Sequence, residues 1–99
     1  MSKYAEMTEP EINKLVGEKR YPMAKKSWDF CNNPSDAWPI ILENRIEIHP
    51  RDIRVSRNEY IKGWGALPES CSESYEIFSQ GENPLRAAMI VYLMIGDEA

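Results

Sequence analysis

Little in this sequence could bind a metal or staple a fold. Of its 99 residues one is histidine, His49, and two are cysteines, Cys31 and Cys71, with no spacing that suits a metal site. Cysteines so few and so far apart read as free thiols in a reducing compartment. No glycine-rich loop precedes a lysine, which excludes the common phosphate-binding loop, and no Ser, His and Asp set stands out as a nucleophilic triad. The stretch Met1 to Glu11 is polar, and no apolar run reaches the length of about 20 residues that a bilayer demands, so neither secretion nor membrane insertion is expected. These absences leave an enzyme without positive support, and the expectation is a non-enzymatic protein with no cofactor.

What the chain does have is an ordinary globular balance, with 42% hydrophobic and 28% charged residues. A core of this size cannot be divided, so residues 1–99 are expected to form a single domain, small enough that a partner could help complete it. The formal net charge of -4 is unevenly spread. The middle section is the basic one, with Arg45, Arg51, Arg54, Arg57 and Lys62 against Glu47, Asp52 and Glu59, while the residues after it carry Arg86 alone against six carboxylates. A duplex-binding stripe would be more basic than this, which disfavours direct nucleic-acid binding. An acidic section would instead be drawn to a basic surface, including one that normally holds nucleic acid.

The elements implied are those of an α+β domain, with two or three helices, a short antiparallel sheet and an apolar C-terminal helix. Thr8-Glu9-Pro10-Glu11 is a capping box, with Met7 placed as a hydrophobic staple, and Ile12, Leu15 and Val16 follow at helical spacing up to Gly17, which weakens the helix and either ends it or lets Glu18-Lys19-Arg20 add one more turn before Pro22. Ser27 to Phe30 alternates as a short strand would. Asn33 and Pro34 open a second helix in which Ala37, Ile40 and Ile41 face inward, and Pro39 is expected to kink or restart it. The alternation in 45–49, in 52–56 and again in 59–64 predicts three short strands, with His49 solvated at a strand end.

Residues 63–74 contain two glycines, a proline and three serines, which predicts an exposed loop. Trp64 and Leu67 give that loop apolar anchors, so Trp64, Leu67 and Pro68 are candidate partner contacts. Asn83 and Pro84 then start the final helix and Gly96 is expected to end it, with Arg86 the single charge between Leu85 and Ile95. A helix apolar on nearly every side needs more cover than a small domain supplies. Its spare face, drawn from Ile90, Val91, Met94 and Ile95, is a second candidate partner site.

Two blocks, Ser35 to Ile46 and Glu82 to Met94, resemble the signature blocks of the small phage NinX-like proteins, and Met1 to Asn13 is similar in kind. Within that family the opening Met-Ser-Lys-Tyr-Ala-Glu-Met-Thr is most similar to the anti-RecBCD type of lambdoid phages. The resemblance implies a protein of the host cytoplasm that binds RecBCD through RecC and modifies its nuclease action and Chi response in favour of phage recombination. The alternative is a nucleic-acid-binding accessory protein using Arg51, Arg54 and Arg57. No catalytic residue is carried over. In the expected loop, an X-Pro bond at Leu67-Pro68 could exchange slowly between isomers, which makes Ala66, Leu67 and Pro68 a candidate contact for a host cyclophilin-type prolyl isomerase.

Overall fold

The structure, a computed structural model, describes residues 3–23, 28–68 and 78–98. After a short 3-10 turn at Lys3–Glu6 come helix α1 (Glu9–Arg20), helix α2 (Pro34–Glu43), strands β1 (Ile46–Ser56), β2 (Glu59–Pro68) and β3 (Ser79–Gly81), and helix α3 (Pro84–Glu98). The strands form one antiparallel sheet in the order β1-β2-β3, and the architecture is α+β as expected. No helix among the described residues is long and apolar enough to cross a membrane.

Helix α1 starts where its chemistry directs. The Thr8 side chain accepts from the Glu11 amide while the Glu11 carboxylate accepts from the Thr8 amide, a closed capping box. Gly17 does not stop the helix, which continues to Arg20 before Pro22. Asn33 caps α2 by accepting from the Ser35 amide, and the helix runs through Pro39 to Glu43. Instead of forming a strand, residues 28–30 put Trp28 and Phe30 in a parallel stack with Tyr21, whose ring lies 4.7 Å from that of Trp28.

Helix α3 is the centre of the molecule. It packs on α1 and α2 and on all three strands, so Ala87 through Leu93 are buried without interruption. The core it completes takes Ile12 and Val16 from α1, Ala37, Ile40 and Ile41 from α2, Phe30 and Cys31 from the connection between them, and Ile46 and Ala66 from the sheet. Gly96 lies inside α3 rather than at its end, and a Cβ there would meet the side chain of Lys19, whose ammonium donates to the Tyr92 carbonyl at 2.8 Å.

A polar hub joins the starts of the helices. Asn83 caps α3, its Oδ1 accepting from Leu85 and Arg86, while its Nδ2 donates to the Cys31 carbonyl at 2.6 Å and to Glu9 at 3.2 Å. Asn13 accepts from the Cys31 amide, and Arg86 donates to the Met7 carbonyl at 2.8 Å. The residues that make the second signature block distinctive therefore hold the fold together.

Where three short strands were expected, β1 and β2 form a single long hairpin, because β1 continues through Pro50 and Arg51. Pro50 is tolerated there because β1 is the sheet edge. Its register partner is Trp64, and Ile46 is opposite Pro68. Neither proline can donate the amide that a doubly bonded pair requires. The doubly bonded pairs thus fall on Glu47, His49, Arg51 and Ile53, and the backbone groups of Ile46, Ile48 and Asp52 point away from β2.

Candidate interaction surface

The hairpin carries a long uninterrupted run of exposed side chains. The molecule measures 46 × 26 × 23 Å, an elongation that suits a hairpin rising about 3.3 Å per residue beyond the helical body. Every residue from Arg54 to Tyr60 is exposed. The turn, Arg57-Asn58, uses no positive φ, and a register shift between Arg54 and Ser56 takes up the twist that a mirror-image turn would otherwise supply. Arg54 braces this turn, donating from Nε to the Ser56 carbonyl and from Nη2 to the Arg57 carbonyl at 3.0 Å.

Pairing sorts the side chains by face, since residues opposite each other project to the same side. One face presents the pairs Pro50 and Trp64, Asp52 and Lys62, and Arg54 and Tyr60. Tyr60 is 61% exposed and Trp64 37% exposed, so this face alternates aromatic and charged groups. The other face carries Arg51 opposite Gly63 and Ile53 opposite Ile61. There the Arg51 guanidinium lies 4.9 Å from the centre of the Phe78 ring. Arg51 and Arg54 are therefore on opposite faces and do not form a single cationic stripe.

The expected exposed loop is corrected over its first half, since 63–68 is the buried end of β2 and the rest of the 63–74 segment lies outside the described residues. The glycines there serve close packing. A side chain at Gly63 would strike Ile53 and the Gly81 backbone, and a Cβ at Gly65 would sit 2.7 Å from His49 Nε2. His49 is accordingly half-buried over Gly65. Ala66, Leu67 and Pro68 are all buried, and the Leu67-Pro68 bond is trans. Of the loop residues singled out, Trp64 alone is exposed.

The spare face on the last helix is corrected as well. Ile90 and Val91 are fully enclosed, and Met94 and Ile95 are partly buried against the same core, because sheet and helices cover α3 from both sides. The exposed apolar side chains of a helix belong instead to α2, where Trp38 is 53% and Leu42 59% exposed. They border a groove of about 780 Å³ whose lining continues through Ile41, Arg45, Ile46, Glu47 and Ile48. The alternation of α2 between buried Ile40 and Ile41 and outward Trp38 and Leu42 was the signal for it. Arg45, at φ 49°, makes the sharp exit from α2 into β1.

The thiol of Cys31 is enclosed, and burial pushes its pKa up to about 12, so it is a packing group rather than a nucleophile. Arg20 holds Glu43 in a two-point ion pair at 2.6 and 2.8 Å, which keeps the Glu43 carboxyl below its ordinary range. Among the described residues no group of three His, Cys, Asp or Glu could hold a metal ion.

The family model described as bacteriophage P22 NinX matches residues 17–95, which include α2, the whole sheet and all but the end of α3. The chain belongs to the P22 NinX family. No curated protein and no solved structure matches it. Both signature blocks of this NinX-family protein lie within the matched span: in the first, Asp36 accepts from the Asp29 amide, Glu43 pairs with Arg20 and Asn44 donates to the Ile40 carbonyl, and in the second Asn83 and Arg86 belong to the hub.

Proposed function

We propose that this NinX-family phage protein binds host RecBCD in the host cytoplasm, through RecC, and shifts its nuclease action and Chi response toward phage recombination. The observation that supports a protein-binding role is the hairpin face of Trp64, Lys62, Asp52, Arg54 and Tyr60. Exposed tryptophan, tyrosine and arginine are the residues enriched at interface hot spots, and Lys62 and Asp52 between them suit a polar rim. The identity of the partner rests on the resemblance of the opening Met-Ser-Lys-Tyr-Ala-Glu-Met-Thr to the anti-RecBCD type, while the two blocks resemble the family as a whole. Purified RecBCD captured on immobilised protein tests it, with Tyr60→Ala and Trp64→Ala expected to weaken capture by roughly tenfold or more while the circular dichroism spectrum is retained. Failure of the wild-type chain to bind RecBCD would overturn the reading, and unchanged capture by both variants would remove the hairpin face as the contact.

The competing reading, direct nucleic-acid binding by Arg51, Arg54 and Arg57, is weakened by the division of Arg51 and Arg54 between faces and by the use of the Arg54 donors within the turn. No measurable affinity for duplex DNA is expected at physiological salt, whereas phosphate contacts would give binding that falls steeply as salt rises. A host cyclophilin-type isomerase stays within the proposal as an accessory partner of Ala66-Leu67-Pro68. Pro68 is the terminal residue of β2, so exposing it would first break the pairing with Ile46 and need not unzip the whole hairpin. Loss of isomerase recovery in Pro68→Ala would support that contact, and unchanged recovery would remove it.

A further inference from the structure

The groove beside α2 and the open edge of β1 are one continuous feature. At this edge Ile46 and Ile48 each direct an N–H and a C=O away from β2, and among the described residues neither takes a backbone bond outside the hairpin. The apolar wall next to them is Trp38, Ile41 and Leu42. Edge groups of this kind are completed by another extended chain, with main-chain bonds holding it and alternate side chains entering pockets. Pro50 has no amide to offer, so it ends any added ladder after Ile48.

A second copy of this chain fits the edge poorly. Antiparallel self-pairing centred on Glu47, which matches Ile46 with the Ile48 of the copy, would set that carboxylate against its own counterpart, and centring on Ile48 would set Arg45 across from the Arg51 of the copy, like-charge oppositions in both cases. Centring on Ile46 would require extended pairing through Arg45, whose left-handed backbone forbids it. The charges along the edge, Arg45 at one end and Glu47 within, instead complement a chain with an acidic side chain near the first and a basic one opposite the second. The geometry points to β1 and α2 as a docking groove for a short extended segment of another protein. The added strand pairs with Ile46 and Ile48, places an apolar side chain between Trp38 and Leu42, and carries charge opposite to that of Arg45 and Glu47. This surface is separate from the hairpin face and does not depend on which host protein that face binds.

Fluorescein-labelled decapeptides of alternating leucine and threonine, flanked by one acidic and one basic residue, are the probe. A second peptide has those charges exchanged, and a third is N-methylated at alternate amides. With the whole protein, the first peptide is expected to bind saturably and to change Trp38 fluorescence, read in a Trp28→Phe, Trp64→Phe background checked for folding. Exchange of the charges, N-methylation, or Leu42→Asp, an exposed site where folding is retained, should each weaken binding by roughly tenfold or more. Equal binding of the methylated peptide, indifference to Leu42→Asp, or no saturable binding by any of the peptides would overturn the assignment. Dimerisation in sedimentation that Leu42→Asp abolishes would also overturn it, in favour of a second copy.

Discussion

Replacing Asn83 tests the hub on which three segments converge. In Asn83→Ala, α3 loses the acceptor that serves the amides of Leu85 and Arg86, a cap contribution of about 1 kcal/mol. It also loses the donor to the Cys31 carbonyl, a part-buried bond of 2.6 Å that contributes about 1 kcal/mol more. The expected cost is roughly 2 kcal/mol, and with a urea dependence of about 1 to 2 kcal/mol per molar the midpoint should fall by about 1 to 2 M. Asn83→Asp separates the contributions. An aspartate keeps the cap but cannot donate when ionised, and it brings a carboxylate up to the Cys31 carbonyl and the Glu9 carboxylate, with which Asn83 bonds in the wild type. It should therefore be destabilised at neutral pH and regain part of the loss as pH falls through its titration, where the protonated acid can donate again. Urea curves followed by circular dichroism at neutral and mildly acidic pH give the answer. An Asn83→Asp protein as stable as wild type at neutral pH, or a midpoint unmoved by Asn83→Ala, would refute the account of the hub.

Ile90→Ala, at an enclosed core position, should cost about 2 to 5 kcal/mol in urea unfolding, whereas Leu42→Ala, on the exposed side of α2, should stay within about 0.5 kcal/mol. Gly65→Ala would force the His49 ring aside, and a thermal midpoint equal to that of wild type would show that the ring moves freely. In a Cys71→Ser background the Cys31 thiol should resist a thiol-labelling reagent at pH 8 until the protein unfolds, because its native pKa stands near 12. The sign follows from that rise: burial of the neutral thiol adds stability that is complete below the ordinary value of 9.0 and is lost as pH climbs toward 12.

Local signals with a definite chemistry were legible. The Thr8 capping box and the Asn33 and Asn83 caps each depend on neighbours a few positions away, and the structure contains all of them; alternation marked 45–49 and 52–56 as extended but not that one strand runs through both. Signals whose meaning depends on distant contacts were not. Gly63 and Gly65 suggest a loop until Ile53, His49 and Gly81 are known to crowd against them. Gly96 suggests a helix end until Lys19 is seen crossing it. Strand β3 spans three residues, too few for alternation to register. The apolar circumference of α3 was plain in the sequence, but its meaning required knowing that one small sheet and two helices suffice to enclose it. The groove beside α2 went unrecognised because Trp38 and Leu42 resemble core residues until Ile40 and Ile41 take the inward side.

The position of α3 also determines when the protein can fold. The helix is synthesised after every other element, yet it touches each of them, and the Asn83 bond to Glu9 and the Lys19 bond to Tyr92 tie the earliest helix to it. Until α3 has emerged, the hairpin can pair but the helices and the sheet lack the element that joins them into one core. Assembly of the whole core therefore waits on α3. A ribosome-bound chain halted before Pro84 should lack protease resistance, and resistance should arise in a single step once α3 is free.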